Sequence, residues 1–398
     1  MPGHVTLRLR PRRFGRGAAL TLVFAGVLAT AAATDSLPHQ GGSAPHDAPA
    51  AEARPAPSLD AGAVTDAARR AVARGQSGTD AAQQVVSRSG DRWSAVYDKS
   101  EYEEFTQALD GAYTGVGVGA RRTADGLVQI TRTERGGPAA RAGVRPGDVL
   151  RAVDGRSVAG LPVTRVMGLL RGDPQQGAGP AAPPGSTVVL GLDRAGHRVS
   201  RTVRRARLAV ASVSVAPLPG GARRVAVDSF TRGTGAQVRQ AVRDAPPGAG
   251  IVLDLRGNGG GLVSEAVTAA SAFLHGGLVA TYGMDGHQHA LYAKGRGDTE
   301  RPLVVLVDGG TMSAAELLTG ALQDRGRAVV VGSRTFGKGS IQMPTTLPDG
   351  SVAELTVGHY RTPAGRAVDG RGITPDVAAG GDAERRALTV LGGLGDGA

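Results

Sequence analysis

The 398-residue sequence has no cysteine, one tryptophan and an aromatic content of only 3%. The absence of cysteine excludes disulfide bonds, thiolate metal sites and cysteine nucleophiles together, so any nucleophile must carry oxygen or nitrogen. The low aromatic content and the 62 glycines predict cores of Val, Leu and Ala joined by glycine-rich loops. With 41% hydrophobic residues, the chain is long and apolar enough for two or three folded domains.

The net charge of +11 raises the question of nucleic-acid binding. Much of this charge belongs to a targeting pattern, because five arginines precede one apolar segment: Arg8, Arg10, Arg12, Arg13 and Arg16. The remaining basic residues are scattered and lack the interleaved aromatic residues on which bases stack. Nucleic-acid binding is therefore not expected.

The N-terminus carries an export pattern. The arginines are followed by GAALTLVFAGVLATAAA (Gly17–Ala33), which ends in small residues suited to signal cleavage. We predict that residues 1–33 are a signal peptide or, since 17 apolar residues are just enough to span a bilayer, an N-terminal membrane anchor. The protein is then extracytoplasmic, either secreted or anchored, and the Arg12-Arg13 pair leaves Sec and twin-arginine export both open. Residues 34–58 are rich in Pro, Ala, Gly and Ser and predict a flexible linker.

Two regions with different hydrophobic patterns follow the linker. Residues 59–110 have helical spacing, as in TDAARRAVARG and KSEYEEFTQALDG, and predict a small helical region. Residues 111–208 alternate strand-like runs with one helical run, in which an apolar stripe indicates core packing. The stripe consists of Val163, Val166, Met167 and Leu170.

The order of elements in residues 111–208 resembles a PDZ domain of the circularly permuted bacterial type. The specific pieces are a GVGV loop and the run GPAARAGVRPGDVLRAVDG (Gly137 to Gly155). This resemblance implies that the loop binds the terminal carboxylate of a peptide that adds as a strand to the sheet edge. The loop residues are Gly115, Val116, Gly117 and Val118. Their spacing is not the GxGxxG dinucleotide fingerprint, so a nucleotide site is not expected.

Residues 209–380 alternate short buried strands and helices, and residues 381–398 are expected to form a C-terminal tail. Polar groups follow two of the strands, in IVLDLRGNGGG and VVLVDGGTMSAAELL, where α/β folds place their sites. Ser313 in the second run is either a helix N-cap or a nucleophile stabilised by the helix N-terminus. It does not lie in a GxSxG elbow, because Met312 and Ala314 are its neighbours.

A serine nucleophile needs a base, and the sequence offers two. His359 lies in the strand-like run TVGHYRT and can face either side, whereas His287 and His289 are expected in an exposed loop and are weak evidence for a metal. Lys338 lies between two glycines and has no acidic residue within five positions. A neutral lysine requires its pKa to fall from about 10.4 to near 7, roughly 4 kcal/mol, which burial without a counter-ion can supply. In an extended chain, Lys338, Ser340 and Gln342 share one face.

The run LVDGGTMSAAELLTGALQDRGRAVVVGSRTFGKGSIQ resembles the active-site region of the carboxyl-terminal processing (tail-specific) serine peptidases. The resemblance continues in three further runs and covers most of residues 90 to 377: LDLRGNGGGLVSEAV, ELTVGHYRTPAGRAVDGRGITPDV and SGDRWSAVYDKSEYEEFTQALDGAYTGVGV. It implies an α/β peptidase core of the crotonase/ClpP-like type at 209–380, with strand-helix repeats. The PDZ domain is inserted before this core, and the helical region at 59–110 is part of the peptidase body.

The resemblance also assigns roles. The family's nucleophile falls on Ser313, its lysine base on Lys338, the glutamine that orients the lysine on Gln342, and its supporting acid on Glu316. The implied oxyanion donors are the backbone N–H groups of Ala314 and of a glycine in the GNGGG loop, placed at Gly260. The chain departs from the family at three positions, where many members carry Ser, Ser and Pro: Thr311, Ala315 and Gly259. No cofactor or metal is implied.

Three functions remain to be compared. The leading hypothesis is an exported serine endopeptidase that cleaves proteins near C-termini recruited by its PDZ domain. An exported, non-catalytic PDZ protein that captures C-termini is the alternative from another class, and a serine/histidine hydrolase using His359 is the third. The partners are in each case proteins or peptides, and the membrane is involved only through the N-terminal segment.

Overall fold

The computed structural model describes residues 60–395 apart from residues 124, 174–181 and 285. The predicted export segment, 1–33, and the predicted linker, 34–58, lie outside the described residues. Within the described part of the chain, no helix combines the length and apolar character needed to cross a bilayer.

The predicted N-terminal helical region consists of three helices and a short strand. These are α1 (Ala61–Val72), α2 (Gly78–Arg88), β1 (Ala95–Tyr97) and α3 (Lys99–Leu109). Helix α3 begins at a capping box, in which Asp98 accepts from the Glu101 N–H and the Glu101 side chain accepts from the Asp98 N–H. Buried Val64 and Val86 pack against Leu355 in the C-terminal half of the chain. The region therefore shares a hydrophobic core with the C-terminal half of the chain.

The PDZ-like region is a six-stranded antiparallel sheet with two helices. Its elements are β3 (Val118–Arg122), β4 (Val128–Thr133), α4 (Pro138–Arg141), β5 (Val149–Val153), β6 (Arg156–Ser157), α5 (Val163–Arg171), β7 (Thr187–Arg194) and β8 (His197–Arg204). Val166 and Leu170 of the predicted stripe are fully buried. Strand β3 forms one edge of the sheet and contacts α5, so an added strand would pair with β3.

A two-stranded ribbon leads into and out of the PDZ-like region. It pairs β2 (Ala112–Gly115) with β9 (Ala206–Ala209) in antiparallel register. Arg207 and Arg232 both donate to Asp110, which links the exit strand of the ribbon to the peptidase core.

The peptidase core is built on a second six-stranded sheet with the order β10-β11-β12-β15-β16-β19. All neighbours are parallel except β10 and β11. The elements are β10 (Val213–Pro217), a 3-10 turn (Pro219–Gly221), β11 (Arg223–Val227), α6 (Thr234–Arg243), β12 (Ile251–Asp254), α7 (Val263–Ala270), β15 (Leu303–Val307), α8 (Ala314–Asp324), β16 (Val329–Gly332), β19 (Val377–Ala378) and α9 (Ala383–Gly395).

Both faces of this sheet are covered, so its strands are continuously apolar. Leu253 and Val305 face α6, α7 and α8, whereas Val252 and Val304 face α9. The prediction of a C-terminal tail at 381–398 is therefore wrong for residues 383–395. These residues form α9, which covers the second face of the sheet. Ala387 and Leu391 are buried in α9, although many of their neighbours in the sequence are glycine or charged.

A further sheet of five strands adjoins the core. It contains β1, β13 (Leu278–Met284), β14 (His287–Tyr292), β17 (Ser340–Thr346) and β18 (Val352–Arg361). Strands β17 and β18 form an antiparallel hairpin. The exposed loop predicted for His287 and His289 is wrong, because both lie in β14, paired with β13, and the His289 ring stacks on Tyr282.

Candidate active site

Three loops meet where the parallel strands β12, β15 and β16 end. Because the strands are parallel and in register, the segments that follow Asp254, Val307 and Gly332 lie at the same edge of the sheet. They carry the GNGGG run, the turn before α8 and the glycine-flanked lysine. The structure thus brings the sequence-predicted catalytic residues to one place.

Ser313 lies at the N-terminus of α8 in an unfavourable backbone conformation. Its φ of 51° and ψ of −116° are outside the regions that non-glycine residues usually adopt. The preceding turn is fixed by Asp308, which accepts from the Gly257 N–H, and by Thr311, which donates to the Leu255 carbonyl. Such strain costs about 1–3 kcal/mol and is common at functional residues. The Thr311 hydroxyl also accepts from the Asp308 N–H (3.0 Å), so this side chain connects the turn to the end of β12.

Lys338 lies in the loop that follows β16, and the glycines beside it are required by close backbone contacts. Gly337 has φ of +92°, and a Cβ at Gly339 would lie 2.4 Å from the Asp369 nitrogen. No side chain larger than hydrogen fits at Gly339. The glycines on both sides of Lys338 therefore let the backbone of this loop pack closely against residues 369–372.

Glu316 holds the two candidate catalytic residues in place. Its carboxylate is fully buried and accepts four hydrogen bonds. The donors are the N–H groups of Ser313 (2.9 Å), Lys338 (2.8 Å) and Gly337 (2.7 Å) and the hydroxyl of Thr335. Burial raises the pKa of Glu316, and these hydrogen bonds oppose that rise. Three of the donors are backbone groups, so the carboxylate fixes the main chain rather than the reactive atoms.

Tyr360 makes a second connection between the same two segments. Its hydroxyl donates to the carbonyl oxygens of Ser313 (2.9 Å) and Lys338 (3.2 Å). The side chain is 2% exposed, and burial raises its pKa well above the usual value, so the hydroxyl stays protonated as a donor. Sequence reasoning did not single out Tyr360, although it follows His359 in a run that resembles the peptidase family.

The Lys338 ammonium points to an aromatic side chain. Lys338 Nζ lies 4.8 Å from the centre of the Trp93 ring. Among the described residues, no hydrogen bond joins this nitrogen to Ser313 Oγ. Burial lowers the pKa of Lys338, whereas the carboxylates of Glu354, Asp91 and Glu316 oppose the shift. The expectation that no acidic residue lies near the lysine is thus wrong. Strand β18, the segment before β1 and helix α8 each place one carboxylate near it.

Among the described residues, no hydrogen bond joins Gln342 to Lys338. A β-bulge between Ile341 and Gln342 breaks the period-two pattern on which the shared face was predicted. The Gln342 amide nitrogen donates to Ser340 Oγ (2.8 Å) and Thr356 Oγ1 (3.2 Å). Its carbonyl oxygen has no donor among the residues described and stays available for the lysine.

The two predicted oxyanion donors differ in whether their N–H group already has an acceptor. The Ala314 N–H begins α8 and has no acceptor within the described chain. The Gly260 N–H instead donates to Asn258 Oδ1 (2.8 Å), so it must exchange this acceptor to bind an oxyanion. Gly260 nevertheless abuts the serine, because a Cβ at this position would lie 2.9 Å from Ser313 Cβ. Its φ of +96° also favours glycine.

The predicted carboxylate loop of the PDZ-like region lies beside the edge strand β3. Val116 and Val118 are buried in the domain core, and Gly117 has φ of +73°. The N–H groups of Val116 and Gly117 have no acceptor in the part of the chain that the structure describes. The Glu134 side chain packs against Gly117, so a negative charge stands next to these free donors.

The remaining candidates do not assemble into a site. His359 Nε2 lies 3.6 Å from Asp369 Oδ2, and no hydrogen bond joins it to Ser313 among the described residues. In the same part of the chain, no group of three or more His, Cys, Asp or Glu side chains is arranged to hold a metal ion.

Comparison with known proteins identifies the family of the chain. A family model described as peptidase family S41 matches residues 224–379, and a PDZ domain model matches residues 129–176. The chain is 37% identical over 317 residues to the chloroplastic C-terminal processing peptidase of Tetradesmus obliquus, which covers 75% of this chain and 67% of that protein. It is 30% identical over 294 residues to the carboxy-terminal processing protease CtpA of Bacillus subtilis, with 73% of this chain and 61% of that protein covered.

Among solved structures, a photosystem II D1 C-terminal processing protease matches at 30% identity with a TM-score of 0.48, covering 80% of this chain and 86% of that one. The fold and the sequence matches together define the class, an α/β peptidase core with an inserted PDZ domain. The chain belongs to peptidase family S41, with the C-terminal processing peptidases, which are serine-type endopeptidases.

Proposed function

We propose that the protein is an exported serine endopeptidase that uses a Ser313/Lys338 dyad to cleave proteins near their C-termini. One observation carries the dyad: the Ser313 and Lys338 N–H groups both donate to the buried Glu316 carboxylate, at 2.9 and 2.8 Å. This arrangement fixes the nucleophile and the base relative to each other through the backbone. The strained conformation of Ser313 and the lowered pKa of Lys338 support the same assignment.

The reaction proceeds by covalent catalysis. Neutral Lys338 accepts the Ser313 hydroxyl proton as Oγ attacks the scissile carbonyl carbon, and the oxyanion is bound by the Ala314 N–H with a glycine N–H of the GNGGG loop. The ammonium then returns the proton to the leaving amine, which gives an acyl-enzyme. Lys338 next takes a proton from water, whose oxygen attacks the ester, and the ammonium protonates Ser313 Oγ as the product carboxylate leaves.

For these transfers the Lys338 amine must form a hydrogen bond with Ser313 Oγ, in place of its contact with Trp93. The free carbonyl oxygen of Gln342 is suited to accept a hydrogen bond from the lysine in its catalytic position. Gln342 would then orient the amine while Ser340 and Thr356 hold the amide. This role is part of the proposal.

Labelling with a fluorophosphonate tests the dyad. The wild type should be labelled and should cleave a denatured protein substrate, and both reactions should be lost in Ser313→Ala and Lys338→Ala. His359→Ala should keep both. Labelling that persists in Lys338→Ala but is lost in His359→Ala would support the histidine mechanism instead.

Substrate recruitment through the PDZ domain is a separate part of the proposal. It is supported by the unpaired N–H groups of Val116 and Gly117 next to the edge strand β3. A peptide with a free C-terminal carboxylate should bind more tightly, and be cleaved at a lower KM, than the same peptide with a C-terminal amide. Equal affinities would exclude carboxylate recognition without affecting the dyad.

Export is supported only by the sequence pattern of residues 1–33. We propose an extracytoplasmic location, as a secreted or membrane-anchored enzyme. Cell fractionation followed by N-terminal sequencing of the isolated protein distinguishes these two cases.

A further inference from the structure

The only tryptophan of the sequence lies against the proposed general base. Lys338 Nζ is 4.8 Å from the Trp93 ring centre, within the range of a cation–π contact. The edge of Phe336 meets the same indole at a centroid distance of 5.8 Å. The described part of the chain provides no hydrogen-bond acceptor for this ammonium, which leaves the indole face as a direct partner.

The position of Trp93 is fixed by its own loop. The Asp91 carboxylate accepts from the backbone N–H of Trp93 (2.9 Å) and from the Ser94 hydroxyl. Ser94 is buried and in turn accepts from the Thr356 N–H in β18 (2.9 Å). Since Thr356 also accepts from Gln342, the loop that carries the indole is connected to the residue proposed to orient the lysine.

The charges around Lys338 come from every element next to it. Asp91 from the loop before β1, Glu354 from β18 and Glu316 from α8 favour the ammonium form. Arg92 lies 4.6 Å from the same Trp93 ring centre and adds a second cation. The attraction to the indole must therefore be separated experimentally from that of the three carboxylates.

We propose that Trp93 is a positioning residue for the base: its indole holds the Lys338 ammonium away from Ser313 and releases the amine when the lysine loses its proton. A cation–π contact depends on the positive charge, so it weakens when Lys338 becomes neutral. Deprotonation then does two things at once, since it both activates the base and frees it to reach the serine. This inference rests on the Ser313/Lys338 mechanism proposed above.

The lone indole supplies a direct readout, because tryptophan emission responds to a nearby charge. Emission of the wild type is titrated against pH and compared with Lys338→Met, which keeps the aliphatic length without the charge. We expect a transition in the wild type whose midpoint equals that of fluorophosphonate labelling, and no such transition in Lys338→Met. Identical emission titrations in the two proteins would overturn the proposal.

Substitution of Trp93 gives the second readout. In Trp93→Leu the ammonium loses the ring, so the labelling midpoint should fall by about one pH unit and the rate below the midpoint should rise roughly tenfold. Trp93→Phe and Trp93→Tyr retain an aromatic face and should fall between Leu and the wild type. A purely structural role would lower the rate at every pH and leave the midpoint unchanged, and that outcome contradicts the proposal.

Different results would contradict the catalytic mechanism and the role of Trp93. If the wild type is not labelled, or if Lys338→Met is labelled like the wild type, the proposed catalytic mechanism is wrong. If labelling depends on Lys338 but its midpoint is the same in Trp93→Leu and the wild type, only the role of Trp93 is wrong.

Discussion

Ser313 and Lys338 donate their backbone N–H groups to one and the same oxygen, Oε2 of Glu316, at 2.9 and 2.8 Å. The proposed nucleophile lies at the start of α8 and the proposed base lies in the loop after β16, so a single buried carboxylate connects two loops of the sheet. Tyr360 also connects the two residues, because its hydroxyl donates to both of their carbonyl oxygens. The catalytic geometry therefore depends on buried groups that take no part in proton transfer.

Glu316→Gln is expected to disturb this geometry. An amide has one acceptor oxygen, so an NH2 group must face either the N–H groups of Ser313 and Lys338 or the Thr335 hydroxyl and the Gly337 N–H. Each buried donor left without an acceptor costs about 1–3 kcal/mol. We expect fluorophosphonate labelling to slow at least tenfold and the thermal unfolding midpoint to fall.

Glu265→Gln is the matched control for that substitution. Glu265 also accepts two backbone N–H groups, those of Gly233 (3.0 Å) and Gly235 (2.8 Å), but at the start of α7 and outside the candidate site. It should lower stability without a comparable loss of labelling rate per folded molecule. An equal effect of both substitutions on that rate would argue against a positioning role for Glu316.

Tyr360→Phe removes one hydroxyl and leaves the ring that fills the core. The carbonyl oxygens of Ser313 and Lys338 lose a common donor, which should cost about 1 kcal/mol of stability. We expect kcat to fall severalfold with KM little changed, because the loops lose alignment and the substrate loses no contact. Tyr292→Phe, at a half-exposed position in β14, should leave both constants at wild-type values.

Sequence patterns were sufficient to locate the main elements of the fold. The runs that end in Asp254, Val307 and Gly332 are buried strands, as their continuous apolar character predicts, and the helices after the GNGGG and DGGTM turns are present. Strands β13 and β14 were harder to predict, since half of their residues are polar or exposed. The sequence does not indicate helix α9, because its buried residues stand among glycine and charged residues.

The candidate site was predictable only in part. Ser313, Lys338 and Glu316 lie in one continuous run that resembles the peptidase family, and the structure brings them together. Trp93 reaches the lysine from the far N-terminal part of the chain, a contact that no local pattern encodes. The bulge at Gln342 depends on pairing with β18, so alternation along β17 alone could not predict where its side chain points.

Glu354 is expected to set the pH dependence of the reaction. Burial lowers the pKa of Lys338, and the Glu354 carboxylate is the strongest opposing influence because it stabilises the ammonium. Labelling should therefore rise with pH through a midpoint below the usual lysine value of about 10.4. Glu354→Gln removes the stabilising charge, so the midpoint should fall further and the rate at pH 7 should increase.

The measurement is the labelling rate as a function of pH in the wild type, Glu354→Gln and the control Glu300→Gln. Glu300 is an exposed carboxylate between β14 and β15 and should leave the midpoint unchanged. A higher midpoint in Glu354→Gln would mean that this carboxylate does not stabilise the ammonium, and the assignment of charges around Lys338 would need revision.

Glu134 is expected to weaken the binding of C-terminal carboxylates to the PDZ domain. Its side chain packs against Gly117, where the free N–H groups of Val116 and Gly117 would bind the terminal carboxylate. Two negative charges at this separation repel each other, by an amount that salt reduces. We expect Glu134→Gln to bind a peptide with a free C-terminus several-fold more tightly, as measured by fluorescence anisotropy. Its affinity for the amidated peptide should be unchanged, and a gain that is equal for both peptides would show that Glu134 does not act on the terminal charge.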